Sequence, residues 1–137
     1  MGRYRYMEHT GEVGVEAWGD SLADAFAAAA EGMFAVMADL DTVRDGEAIE
    51  VEVQAADMET LLVEWLNELL FRSEVDNLLL KRCEILEIDD GHVKARCYGE
   101  RPDQDRHRLG GGVKAATYHL VRVESHRPYR VRVILDV

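Results

Sequence analysis

Between Asp57 and Leu70 the apolar residues Leu61, Leu62, Trp65, Leu66, Leu69 and Leu70 recur at helical spacing and fall on one face. Asp57 precedes them as a helix cap. A face that wide has to be covered by other parts of the chain, so these leucines read as core. The covering material is visible on both sides as period-two alternation. Arg3 to His9 alternates, and so do Val13, Val15 and Ala17, which predicts one or two N-terminal strands. Ser21 caps a second helix, with Asp24 three residues on as a weak capping box, and Leu22, Phe26, Ala29, Met33, Val36 and Met37 carry it to about residue 38. Gly32 inside that helix implies close packing. "DLDTVRDGE" reads as a loop and "AIEVEVQA" as a strand. "LLLKRCEILEIDDGHVKARCYGE" reads as a hairpin with a type I′ turn at Asp90-Gly91, and "VKAATYHLVRVE" and "YRVRVILDV" as two closing strands. Strands, helix, strand, helix and four strands predict an α+β sandwich, with two main helices on one face of a largely antiparallel sheet, in a single domain over 1–137.

The 137 residues are 47% hydrophobic and 31% charged, enough for a real core and not the composition of a disordered chain. Lys and Arg number 16 against 27 Asp and Glu, a net charge of −11. With no lysine-arginine stripe along the sequence, stable direct nucleic-acid binding is not expected, and a basic protein partner or a cation suits the chain better. No apolar run approaches a membrane span and Met1 to Thr10 has no signal-peptide pattern, so a cytoplasmic protein is expected. The two-residue turn would set Cys97 opposite Glu84 and Cys83 opposite Tyr98, which predicts two free thiols. Neither CxxC nor HxxxH spacing favours a zinc site.

Candidate chemistry lies at the chain's two ends. Asp136 is followed by Val137, whose terminal carboxylate places two negative groups side by side at a strand end; a frayed, solvated tail is the bland alternative. Glu12, between Gly11 and Gly14, is either a solvated turn residue or a ligand. If folding joined the ends, the oxygens would suit calcium better than zinc, with water or a partner completing the shell. His9, His107 and His119 have no serine or cysteine elbow, so a hydrolytic triad lacks support. Lys114, just past "GGG", can reach a phosphate or an acidic group or simply be solvated. The glycines read as a flexible loop allowing φ > 0, and no phosphate-loop pattern accompanies them.

"EHTGEVGVEAWGDSLADAFAAAAEGMFAVMADLDTV" resembles the opening of the archease family: an HTxDxG-like turn, an aromatic-glycine, and an alanine-rich helix ending in M-x-D-L. "LLVEWLNELLF", "YGE", "RH", "VKAATYH" and "RVILDV" continue the resemblance in order over essentially the whole chain. The resemblance implies an α/β sandwich and an accessory protein rather than an enzyme, one that promotes guanylylation and turnover of RtcB-type RNA ligases in tRNA splicing and RNA repair. It also implies a divalent metal, typically calcium, held at the positions of Glu12, Asp136 and Val137. Lys114, His9 and His119 are candidate contacts to the partner or its nucleotide. The chain departs from the family at Glu12, a glutamate where the motif has aspartate, so the ligand geometry must differ. A chaperone-like modulator of tRNA methylases and a metal-dependent phosphoester hydrolase are the alternatives; no base–nucleophile set supports the second.

Overall fold

A computed structural model describes residues 2–9 and 11–137, with the backbone alone for His9. In chain order it contains β1 (Arg3–His9), β2 (Glu12–Gly19), α1 (Leu22–Met37), β3 (Glu47–Gln54), α2 (Met58–Val75), β4 (Leu79–Ile88), β5 (His92–Glu100), β6 (Ala115–Glu124) and β7 (Tyr129–Asp136). The helices begin where their caps require. Ser21 accepts from the Asp24 N–H at 3.1 Å, and Asp57 from the Thr60 N–H at 2.8 Å. The loop after α1 holds one short 3-10 turn, Leu40–Thr42. No helix of the described residues is long and apolar enough to cross a membrane.

All strand pairings are antiparallel, as expected, but the strands form two sheets rather than one: β1-β2-β7-β6 and β3-β5-β4. The helices explain the difference. Ala25, Phe26, Ala28, Ala29, Ala30, Gly32, Met33 and Phe34 are all buried, so α1 is covered over most of its circumference. A helix apolar on that many sides needs a layer on more than one of them. It packs on β1, β2 and β7 of the first sheet and along β4 of the second, while α2 packs on β6 of the first and on β3 and β5 of the second. Leu61, Leu62, Trp65, Leu66 and Leu69 of α2 are buried in the shared core, where the Trp65 indole N–H donates to the Phe26 carbonyl at 3.2 Å.

The β4–β5 hairpin corrects two expectations. Its turn holds no residue with positive φ, so it is not type I′; the Asp89 carboxylate accepts from the Gly91 N–H at 2.9 Å and closes the turn instead. Ile88 pairs with Val93 as predicted, but the register shifts between Ile85 and Glu87, leaving Leu86 as an extra, exposed residue. That bulge brings Cys83 opposite Cys97, with Cα atoms 4.1 Å apart, and the two are joined in a disulfide rather than left as free thiols. The connection after β5 is also more tied down than a glycine-rich loop suggests. None of its glycines takes positive φ. The Gly110 N–H donates to the Met37 carbonyl at 2.8 Å, and a Cβ there would stand 2.4 Å from the Val36 carbonyl oxygen.

Candidate metal centre

In the first sheet, the inward residues decide what meets at its edge. Val13, Val15 and Ala17 of β2 stand opposite Leu135, Val133 and Val131 of β7. All but the half-buried Val13 are fully enclosed in the core. A slip of one residue would turn this apolar set outward, so the register is strongly specified. Its consequence is that Glu12 pairs with Asp136. On the flanks, His9 of β1 stands opposite Glu12, and Ala115 of β6 opposite Asp136. The Lys114 N–H donates to the Asp136 carbonyl at 2.7 Å, extending the ladder past the end of β6.

The structure thus gathers Glu12, Asp136, Val137 and the Lys114 backbone at one corner of the sheet. Glu12 is half-buried, and its Oε2 is shut off from solvent. Asp136 and Val137 are exposed. Gly11 forms the β1–β2 turn with φ 72°, whereas Gly14 lies within β2, so adjustment of the Glu12 backbone is confined to the Gly11 side. Among the described residues, no group of three or more His, Cys, Asp or Glu side chains has the arrangement of a metal site. Glu12 and Asp136 bring two side-chain carboxylates to this corner, both hard-oxygen donors. Oxygen donors of that kind fit calcium better than zinc, and two of them fall short of a full calcium shell. The His9 side chain lies outside the described residues. His119 sits on the exposed, irregular stretch of β6 between Thr117 and Arg122, where Leu120 takes φ 56°.

A second polar cluster joins the "YGE" and "RH" segments. One oxygen of Glu100 accepts from Arg106 at 2.5 Å, from His107 Nε2 at 2.6 Å and from the Arg44 N–H at 3.1 Å. The Arg106 guanidinium, then the His107 hydrogen bond, hold the Glu100 carboxyl down to about 2. His107 is fully enclosed, and its Nδ1 accepts from the Asp103 N–H at 2.8 Å. These bonds anchor the connection between β5 and β6. In the sequence His107 stands without a nucleophile, and nothing there joins it to Glu100.

Fold and corner together define a small α+β protein in which the β1–β2 hairpin pairs with β7 so that Glu12 stands opposite Asp136. The model of the Archease protein family (MTH1598/TM1083) matches residues 4–137. The archease of Pyrococcus abyssi is 37% identical over 128 residues, covering 91% of this chain and 90% of that protein. The archease of Danio rerio is 36% identical over 138 residues, covering 98% and 85%. The solution structure of protein 1598 of Methanobacterium thermoautotrophicum superposes with a TM-score of 0.81 at 34% identity, over 98% of both chains. The crystal structure of an archease from Thermotoga maritima, described as a possible chaperone, shares the fold with a TM-score of 0.61 at 19% identity, over 97% of this chain and 96% of that one. This chain belongs to the archease family.

Proposed function

We propose that this chain is an accessory protein that activates an RtcB-type RNA ligase, and that it does so through the corner where Glu12 meets Asp136. One observation supports the reading: the β2–β7 register pairs Glu12 with Asp136, the residue before Val137. Glu12, Asp136 and Val137 are the residues that would hold calcium. A bound calcium would supply a compact positive charge able to engage nucleotide phosphates. The chain's own part is to present the corner. The exposed Asp136 and Val137 project at the sheet edge, and the half-buried Glu12 is steadied by the strands on either side. A net charge of −11 favours approach to a cationic nucleotide pocket.

The test mixes the protein with a cognate ligase, GTP and calcium, and follows ligase–GMP formation. The wild type should accelerate guanylylation, and Asp136→Ala should lose most of that effect. By titration calorimetry, Glu12→Gln should weaken calcium binding about tenfold, a loss of about 1.4 kcal/mol. Equal acceleration by the wild type and Asp136→Ala would sink the reading. Suppressed aggregation of a tRNA methylase, without any effect on guanylylation, would favour a chaperone-like role instead.

A further inference from the structure

The outer face of the first sheet is basic, although the molecule is strongly acidic. Alternation turns Val15, Ala17, Val131, Val133 and Leu135 into the core, so their neighbours point away from the helices. The register arranges those neighbours in rows across the strands. One row runs Arg3, Trp18, Arg130, Glu124, and the next runs Arg5, Glu16, Arg132, Arg122. Arg127, in the turn between β6 and β7, adds a sixth arginine at the same end. Glu16 is engaged by Arg5 at 2.5 Å and Glu124 by Arg122 at 3.2 Å, while Arg132 donates to the Leu120 carbonyl at 2.9 Å. Arg3, Arg127 and Arg130 have no carboxylate partner among the described residues. Arg3, Trp18, Asp20 and Arg127 line an open cleft of about 840 Å³. Next to it, Arg122, Arg130 and Arg132 surround a small recess of about 50 Å³, with Glu16 and Glu124 on its walls. The Trp18–Arg130 pair joins the two.

We infer that this face binds single-stranded nucleic acid, with a base stacked at Trp18 and the backbone phosphates taken by Arg3, Arg127 and Arg130. Three features favour that occupant over an acidic protein. All six cations are arginine, whose planar fork matches phosphate oxygens and whose plane also stacks on bases. An indole stands among them, with the Arg5 guanidinium 5.8 Å from its centroid. The surface is a sheet face, on which unpaired bases can lie against aromatic and guanidinium planes. Repulsion by the net charge of −11 acts at long range and is screened beyond about 8 Å at physiological salt, so the local rows set the contact. Along the same face, an apolar band of Met7, Gly14 and Ile134 separates the rows from the Glu12–Asp136 corner. Trp18 and Glu12 lie six residues apart on β2, about 20 Å. The basic face is thus distinct from the carboxylate corner, and its test needs no ligase.

Fluorescence anisotropy of the purified protein with fluorescein-labelled oligouridylate and oligothymidylate of equal length tests the proposal. Binding should appear at about 50 mM salt and weaken by about 200 mM, with a log–log slope of about −0.7 per phosphate engaged. The double variant Arg127→Gln/Arg130→Gln should bind about tenfold more weakly with a shallower slope, whereas Arg101→Gln, on a distant loop, should bind as the wild type does. Trp18→Ala should lose affinity that Trp18→Phe largely keeps, with circular dichroism confirming that both fold. Preference for uridylate would place a 2′-hydroxyl in the contact, and equal binding would assign bases and phosphates alone; either supports the site. Three results would overturn it: no binding at low salt, wild-type affinity in the double arginine variant, or displacement of the oligonucleotide by polyglutamate as effective as by unlabelled oligonucleotide. The last would reassign the face to an acidic protein.

Discussion

Glu100 shows how much a single carboxylate can organise. Its bonds with Arg106, His107 and Arg44 fasten the connection between β5 and β6. The tautomer of His107 follows from its two partners. A backbone N–H donates to Nδ1, so the ring proton sits on Nε2 and points at Glu100. The Glu100 carboxyl is lowered from 4.5 to about 2, first by Arg106 and then by His107. A depressed carboxylate stabilises the fold above its unfolded pKa and loses that contribution as pH falls through the folded one. In urea titrations, Glu100→Gln should therefore be less stable than the wild type above pH 4.5, and the gap should close as pH falls towards 2. A gap that stays constant over that range would show that the charge is not what matters. Legibility at this scale was uneven. The carboxylates of Glu12 and Asp136 could be singled out in the sequence, because an acid in a glycine-flanked turn and an acid at a strand end are unusual locally. Glu100 and His107 stand in the short motifs "YGE" and "RH", but their pairing was not legible, since it depends on how a polar loop folds back.

The elements themselves were largely readable, because capping and periodicity act between near neighbours. Ser21 and Asp57 start the helices, and the apolar stripe of α2 is buried as its spacing implies. The hairpin turn and its register were not readable. A bulge at Leu86 costs one residue of alignment, and nothing in a periodic pattern announces it. That one residue separates two distant thiols from a cross-strand disulfide. Packing around Gly32 was anticipated, and the structure shows its severity: a Cβ there would lie 3.0 Å from Val15 Cγ1 and 3.1 Å from the Tyr4 ring. The Gly32 carbonyl also accepts from the Tyr6 hydroxyl at 2.7 Å, tying α1 to β1. Gly32→Ala gains about 1 kcal/mol of helix propensity but meets overpacking of about 1–3 kcal/mol. The expected outcome is a net loss of about 1 kcal/mol in the urea-unfolding free energy, and a gain in stability would show that Val15 and Tyr4 give way to the added methyl.

For the molecule as a whole, each helix touches both sheets, so loss of either sheet would uncover apolar faces of both helices. Unfolding should then be a single transition. Trp18 on the first sheet and Trp65 in α2 report by fluorescence, and far-ultraviolet circular dichroism reports the helices; the urea midpoints should coincide. Separated midpoints would mean that the sheets unfold independently. From sequence alone follow the helices with their caps, the alternating strands, the α+β class, the net charge, and the motifs that place the chain in the archease family. Each of these rests on contacts within a few residues or on composition. Tertiary structure decided that the strands form two sheets, that Glu12 meets Asp136, that Cys83 meets Cys97, and that arginines from β1, β6 and β7 share one face. Those outcomes depend on which strand neighbours which and in what register. In the first sheet both are set by burying apolar residues more than a hundred positions apart, and in the second by a bulge, neither of which local periodicity carries.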